Sequence, residues 1–519
     1  MRRWRPPDAK STSGALLYIL LWIGFNAFPT TLAKAACFKQ YLQCQCINTG
    51  LLYVKCRKLE TESIPHILHP QLDVLEVTYS KLTSLSNADV YTSMQVFNVT
   101  GNELTSLGQP LASLSKLHTI IARENKLDAL RRSDLQGIKN LKVLDVSKNK
   151  ISGIEDGMFA DIPLRELDLS QNRIRIITSR TLQGLSKLQS LNLRDNELTK
   201  IPPLTDLRYL VFLDISFNEL RSIEDGIVPN VRSLNLERCD LKSTTFLANT
   251  TVTELVLADN QFSEVPKPLP QRLETLVLSS NPIPILGPRS LSHVPSLRNF
   301  TLSSAKELRS IHIDAFNGNS ELVRLNFEMD ASLTNIDSRM FRGMAKLEQV
   351  SFRGSGLETL DLSLVAANQL RRLDVRENPF RCDCRLSWLR DLSLSFLNGS
   401  RANRKPTPFD DETVKIKCAE PKQFRHLYVH SMPSAAFECR TRNLLSLILL
   451  PVIIVLLVAG AALLAYRYRH KLPFNKSKTA PSSSKTHFEK TYMVPANDYE
   501  GIYHIQRNAP IRLIPVTEL

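Results

Sequence analysis

Nine cysteines, a set of asparagine sequons and a tyrosine-bearing tail are the residues of this 519-residue chain whose types and spacing can do chemistry. Eight cysteines form two groups of four: Cys37, Cys44, Cys46 and Cys56 near the start, and Cys382, Cys384, Cys418 and Cys439 toward the end. Four thiols so close together either oxidise in pairs or hold zinc. Each group allows three disulfide connectivities. A leading apolar segment directs the chain to an oxidising compartment, and no matching ligand cluster completes a zinc site. Disulfides are therefore expected, with no metal and no other cofactor. Cys239 is the ninth cysteine; a buried thiol is expected there, a reactive or intermolecular one being the alternative.

Four Asn-x-Ser/Thr sequons, at Asn98, Asn249, Asn299 and Asn398, are expected to carry glycans; Asn475 fits the same pattern but falls on the cytoplasmic side of the expected membrane span. Near the end, Tyr492, Tyr499 and Tyr503 stand in short polar contexts. Phosphate on them would suit the arginine pocket of SH2 proteins, Tyr499-Glu-Gly-Ile502 also fits an endocytic signal, and plain disorder is the alternative. The last residues, Val516-Thr517-Glu518-Leu519, fit a PDZ ligand: a carboxylate for backbone amides, Leu519 for an apolar pocket and Thr517 as hydrogen-bonding partner. No phosphate loop, nucleophile with a partner histidine or metal cluster is present, so no enzyme and no catalytic residue are expected.

What positions these groups is a repeated phrase. Leu141-Lys-Val-Leu-Asp-Val-Ser-Lys-Asn-Lys-Ile151 recurs with a period of 21 to 25 residues in 14 copies, beginning at Leu72, Met94, Leu117, Leu141, Leu164, Leu188, Leu210, Val231, Val252, Leu273, Leu297, Leu322, Leu347 and Leu370. The period of two within x-Leu-x-Leu-x predicts a strand with leucines inward. One strand buries almost nothing alone, so the copies must stack, giving a parallel sheet about 60 Å long. The recurring asparagine (125, 149, 172, 196, 218, 260, 281 and 378) is expected inside each turn, pairing with backbone groups. The eleventh to thirteenth copies replace it with Ala305, Asp330 and Ser355, and irregularity is expected there.

This pattern resembles the leucine-rich repeat, and the flanking cysteine groups resemble the caps of extracellular proteins of that kind. The resemblance implies a solenoid with a concave parallel sheet and an irregular or 3-10 convex side. It also implies the pairings Cys37–Cys46, Cys44–Cys56, Cys382–Cys418 and Cys384–Cys439, with Trp388 packed on the last coil. The expected organisation is a signal peptide at 1–35, a cap at 36–71, repeats at 72–377, a second cap at 378–439, a transmembrane helix at 444–466 and a cytoplasmic tail at 467–519. The Ala461-x3-Ala465 spacing either pairs two such helices into a homodimer or faces lipid.

The net charge of +15 invites a nucleic-acid reading, but the excess lies in the first 35 residues, after Phe380 and in the tail, leaving the array nearly neutral. Nucleic acid is therefore not an expected partner. Outward strand positions sort by sign: Asp145, Glu166, Asp168, Asp214 and Glu237 in the middle, and Arg324, Arg353, Arg372 and Arg376 near the end. The middle set is either an acidic protein-binding strip or ordinary solvated filler. A basic loop, Arg401-Ala-Asn-Arg404-Lys405, suits a sulfated glycan such as heparan sulfate, or is a solvated charge run. The array, single span, short tail and PDZ-type end are most similar to neuronal leucine-rich repeat transmembrane adhesion proteins. That resemblance implies a type I plasma-membrane receptor for an extracellular or cell-surface protein. The alternatives are an innate immune binding receptor or decoy without a Toll-type signalling domain, and an accessory subunit of a channel or receptor.

Overall fold

Each x-Leu-x-Leu-x phrase forms a three-residue strand because its central residue is buried from the core side and its neighbours pair sideways. The computed structural model describes residues 43–48, 50–229, 231–361, 370–398, 408–437 and 444–468. It divides into two units, Met1–Arg440 and Thr441–Leu519.

The first unit is a parallel β-solenoid of about 14 turns. Its 16-stranded sheet runs in chain order. The first two strands, Cys44–Asn48 and Leu52–Arg57, form an antiparallel hairpin. Leu52–Arg57 then pairs in parallel with Val74–Thr78, so the N-terminal cap is itself part of the sheet. Every later strand, to Arg372–Asp374, is parallel to the one before. The central residues Leu144, Leu167, Leu191, Leu213 and Leu234 sit in register and are at most 1 % exposed. Each such side chain stabilises the fold by about 1.5–3 kcal/mol. Among the described residues the far side is irregular, with 3-10 turns such as Ala88–Val90 and Ser338–Phe341 and two short two-stranded ribbons.

The buried asparagines form the predicted ladder. Asn149 donates to Ala122 O of the previous coil at 3.0 Å and to Val146 O of its own at 2.9 Å, and its Oδ1 accepts Leu127 N–H at 3.1 Å. Asn102 makes the same bonds, extending the series one coil earlier than the recurring asparagines listed from the repeat phrase. In the eighth coil the buried Cys239 thiol takes the position, donating to Ile215 O at 3.4 Å. Burial pushes that thiol up to about 12, so it is neutral and unreactive.

The expected irregularity of the eleventh to thirteenth copies does not reach the sheet, whose strands Asn299–Thr301, Arg324–Asn326 and Gln349–Ser351 continue in register. Two substitutions explain this. Asp330 accepts Ala305 N–H at 2.7 Å, and Ser355 Oγ donates to Phe327 O at 2.6 Å, replacing part of the ladder. Phe300, Phe316, Phe327 and Phe352 fill the wider coils, with ring centroids 5.4–6.3 Å apart.

Disulfides lie at both ends. Cys44–Cys56 ties the N-terminal hairpin, and Cys382–Cys418 ties the C-terminal cap. Cys46 and Cys384 are also disulfide-bonded; Cys37 and Cys439 lie outside the described residues. The cap helix Ser387–Asn398 carries Trp388, whose Nε1–H donates to Leu360 O at 3.1 Å and so anchors the cap on the preceding coil.

The second unit contains a helix, Leu444–Tyr468, of 25 residues, two longer than the uncharged run. At 1.5 Å per residue it is about 37 Å long. Among the described residues no helix is long and apolar enough to cross a membrane.

Candidate functional site

A three-residue strand presents its first and third residues on the solvent face of the sheet, and this face is the candidate binding surface. The third positions correct the sequence expectation. Asp145, Asp168 and Asp214 were expected as solvated carboxylates, yet they are 6 %, 7 % and 0 % exposed. The reason is local. Each Oδ1 accepts the N–H two residues on: Ser147 at 3.0 Å, Ser170 at 2.9 Å and Ser216 at 2.9 Å. These are Asx turns that end the strand and start the bend toward the ladder asparagine. Asn192 and Asn235 do the same in the sixth and eighth coils.

The other carboxylate oxygens are also engaged. Asn192 Nδ2 donates to Asp168 Oδ2 at 3.1 Å, Asn235 Nδ2 to Asp214 Oδ2 at 3.0 Å, and Arg123 lies 3.5 Å from Asp145 Oδ2. Burial, followed by the adjacent Asp168, pushes Asp145 up to about 6. Burial also raises Asp214. These side chains hold the sheet edge; they are not free to meet a basic partner.

Glu166 and Glu237 are partly exposed, and burial raises both of their pKa values. Glu237 lies 3.5 Å from Arg194. Arg194 also donates to Ser216 Oγ at 2.9 Å and stacks 4.0 Å above the Phe217 ring, which Arg238 flanks at 5.5 Å. Phe217 has a left-handed backbone (φ 57°), one of a row of such residues preceding the ladder positions. Neither Phe217 nor Arg238 is legible as a surface feature from the strand pattern, because both belong to the turn.

The first strand positions form the accessible column. Val143, Glu166, Ser190, Phe212, Ser233 and Glu254 are all partly exposed. Phe212 stands in register between the small residues Ser190 and Ser233 and is partly exposed. The basic set near the end is largely neutralised. Arg376 grips Asp374 through Nε at 2.9 Å and a second nitrogen at 2.6 Å, Arg353 pairs with Glu377 at 2.5 Å, and Arg372 lies 3.5 Å from Asp410.

Two sequons fall on this face. Asn98 Oδ1 accepts the Thr100 N–H and hydroxyl, at 3.1 and 2.7 Å. Asn299 Nδ2 donates to Thr275 Oγ1 at 3.0 Å and its Oδ1 accepts from Arg324. Asn249 and Asn398 are exposed, Asn249 beside a 460 Å³ cleft with Arg208 and Phe246. Tyr492, Tyr499, Tyr503, Thr517 and Leu519, with residues 1–35 and the Arg401–Lys405 loop, lie outside the described residues.

Two families of repeat match these coils. The family described as Leucine rich repeat matches residues 115–174, 139–198 and 162–220. The BspA type Leucine rich repeat region matches 270–379. Residues 115–220 and 270–379 thus match leucine-rich repeats.

Among relatives, Toll-like receptor 9 of Sus scrofa is 34% identical over 160 residues, 28% of this chain and 14% of that protein. Oligodendrocyte-myelin glycoprotein of Mus musculus is 31% identical over 114 residues, 22% of this chain and 25% of that protein. The chain therefore matches a quarter or less of these relatives' lengths. Of solved structures, a TLR13–ssRNA13 complex aligns with TM-score 0.54 at 20% identity, covering 70% of this chain and 57% of that one. A Toll–Spatzle complex aligns with TM-score 0.51 at 17% identity, covering 74% and 64%. These show a shared solenoid fold. Neither matching family is an enzyme family.

Proposed function

We propose that this leucine-rich repeat protein is a cell-surface recognition receptor that binds a protein ligand on the solvent face of its sheet. One observation carries the reading: Phe212, partly exposed at the middle of a long open sheet and flanked by serines, is an aromatic anchor with room for a partner's side chain. Interface energy concentrates in such central aromatics. Glu166, Glu237 and the Arg194–Phe217 stack rim it with polar groups.

The remaining parts fit a type I plasma-membrane protein. In this reading the uncharged run Leu444–Tyr466 is the anchor. The basic residues after it mark the cytoplasmic side, and the tail docks PDZ proteins through Thr517 and Leu519 and SH2 proteins through its tyrosines. The likeness to Toll-like receptor 9 favours, as second reading, an innate immune binding receptor or decoy.

The test is a binding screen of the full chain, displayed on cells, against a library of cell-surface proteins, repeated with Phe212→Ala. A hit weakened at least about tenfold by that change supports the sheet face as the site. Hits indifferent to Phe212→Ala and to Glu166→Ala would remove the site from this face.

A further inference from the structure

Stacked coils align equivalent residues into rows, so any row of one charge sign becomes a continuous line. The row at the start of the strands, on the third to seventh coils, is such a line. It carries Lys116, Lys139, Lys142, Arg165, Lys187 and Arg208, all exposed, and no Asp or Glu in the four residues entering each of these strands. The backbone fixes its spacing. Lys142 N–H donates to His118 O, Arg165 N–H to Lys142 O and Gln189 N–H to Arg165 O, each at 2.8 Å. Successive coils are thus about 4.8 Å apart and the line extends about 20 Å.

The far ends of the strands behave differently. There Lys148 meets Glu124 at 2.8 Å, Lys126 meets Glu103 at 2.7 Å and Arg175 meets Glu197 at 2.7 Å, each pair bridging adjacent coils. The same solenoid neutralises one edge coil by coil. On the other edge, among the described residues, none of the six cations has a carboxylate within 4.0 Å. At the head of the line Lys116, His118 and Lys142 share a shallow cleft of about 330 Å³ with Gln95, Ser115 and Asn140. Burial, followed by the nearby Lys142, depresses the His118 pKa.

We propose that this edge binds a sulfated linear polysaccharide laid across the coils, its sulfates facing Lys116, Lys142, Arg165, Lys187 and Arg208. Linear extent and single sign call for a polyanion rather than a small anion. Single-stranded nucleic acid is recognised by stacking its bases on aromatic rings, and the ridge offers one exposed ring, Tyr209. Amide and hydroxyl groups of Gln95, Ser115 and Asn140 beside the lysines suit sugar hydroxyls. The site is distinct from Phe212 and stands whether or not a protein binds there.

The test uses the full chain in detergent micelles on immobilised heparin, with affinity measured against NaCl concentration. The triple change Lys142→Glu, Arg165→Glu, Lys187→Glu is expected to weaken binding at least about tenfold and flatten its salt dependence. Lys346→Glu, on the same edge but already paired with Glu321 at 2.7 Å, is expected to change it less than about twofold. Should the triple variant misfold, Lys116→Gln with Lys187→Gln replaces it and must still lower affinity a few-fold. Unchanged affinity in the folded charge variants overturns the proposal. So does equal competition by desulfated heparin, or equal affinity for a single-stranded oligonucleotide of the same charge.

Discussion

Replacing Asp330 by asparagine should stabilise the protein most at neutral pH and least in acid. Asp330 occupies a ladder position in the twelfth coil and is 0 % exposed. Its Oδ1 accepts Ala305 N–H, but Oδ2 has no hydrogen-bond partner. Burial pushes the carboxyl up to about 8. In the unfolded chain the group ionises near its ordinary value of 3.8. Below that pH both states are protonated and the ionisation cost vanishes. As pH rises toward 8 the unfolded state ionises while the folded state does not, so stability falls across that window. The gap of about four pKa units caps the loss at ~5 kcal/mol. An amide carries no charge and would donate to the coil's carbonyls as Asn281 does to Leu257 O and Leu278 O, both at 2.9 Å. Filling one unmet hydrogen bond is worth ~1–3 kcal/mol. Asp330→Asn is therefore expected to slow amide exchange at Ala305 and raise the urea midpoint at pH 7.5, with a smaller rise at pH 4. A variant less stable than wild type at pH 7.5, or one retaining the wild-type slope between pH 4 and 8, would refute the reasoning.

Three further outcomes are expected. Cys384→Ser removes a disulfide of the C-terminal cap, at a cost of ~2–5 kcal/mol, and should hold the protein in the secretory pathway, read by surface labelling. Asp214→Ala strips the turn bonds to Ser216 and the Asn235 contact from a fully buried site. It should lower stability by ~1–3 kcal/mol in urea unfolding, where Phe212→Ala acts on binding. Thr517→Ala, or deletion of Leu519, should abolish capture of PDZ proteins from cytosol without altering surface level; undiminished capture would exclude that role.

How far the repeat phrase can be read depends on which side of the strand is asked about. The core side is legible because burial leaves little choice: Leu144 and its register partners must be apolar, and Asn149 must meet backbone groups that have no other partner. The solvent side is not, because the same letters serve two purposes. An aspartate in Leu-Asp-Leu-Ser reads as surface charge, yet the serine that follows closes an Asx turn on it, and a neighbouring coil supplies a second partner: Arg123 for Asp145, Asn192 for Asp168 and Asn235 for Asp214. Asn192 and Asn235 share these bonds, which shows that the position selects an acceptor and not a charge. Recognition must then rest on what the turn does not use: the first strand position, where Phe212 stands, and the rows at the two edges. Pairing across coils decides those rows, and pairing depends on which coils become neighbours, a property of the register rather than of any one copy. Hence the near-neutral total of the array conceals a strand-start line over the third to seventh coils whose six cations meet no carboxylate within 4.0 Å, opposite strand ends that pair their charges across the same coils.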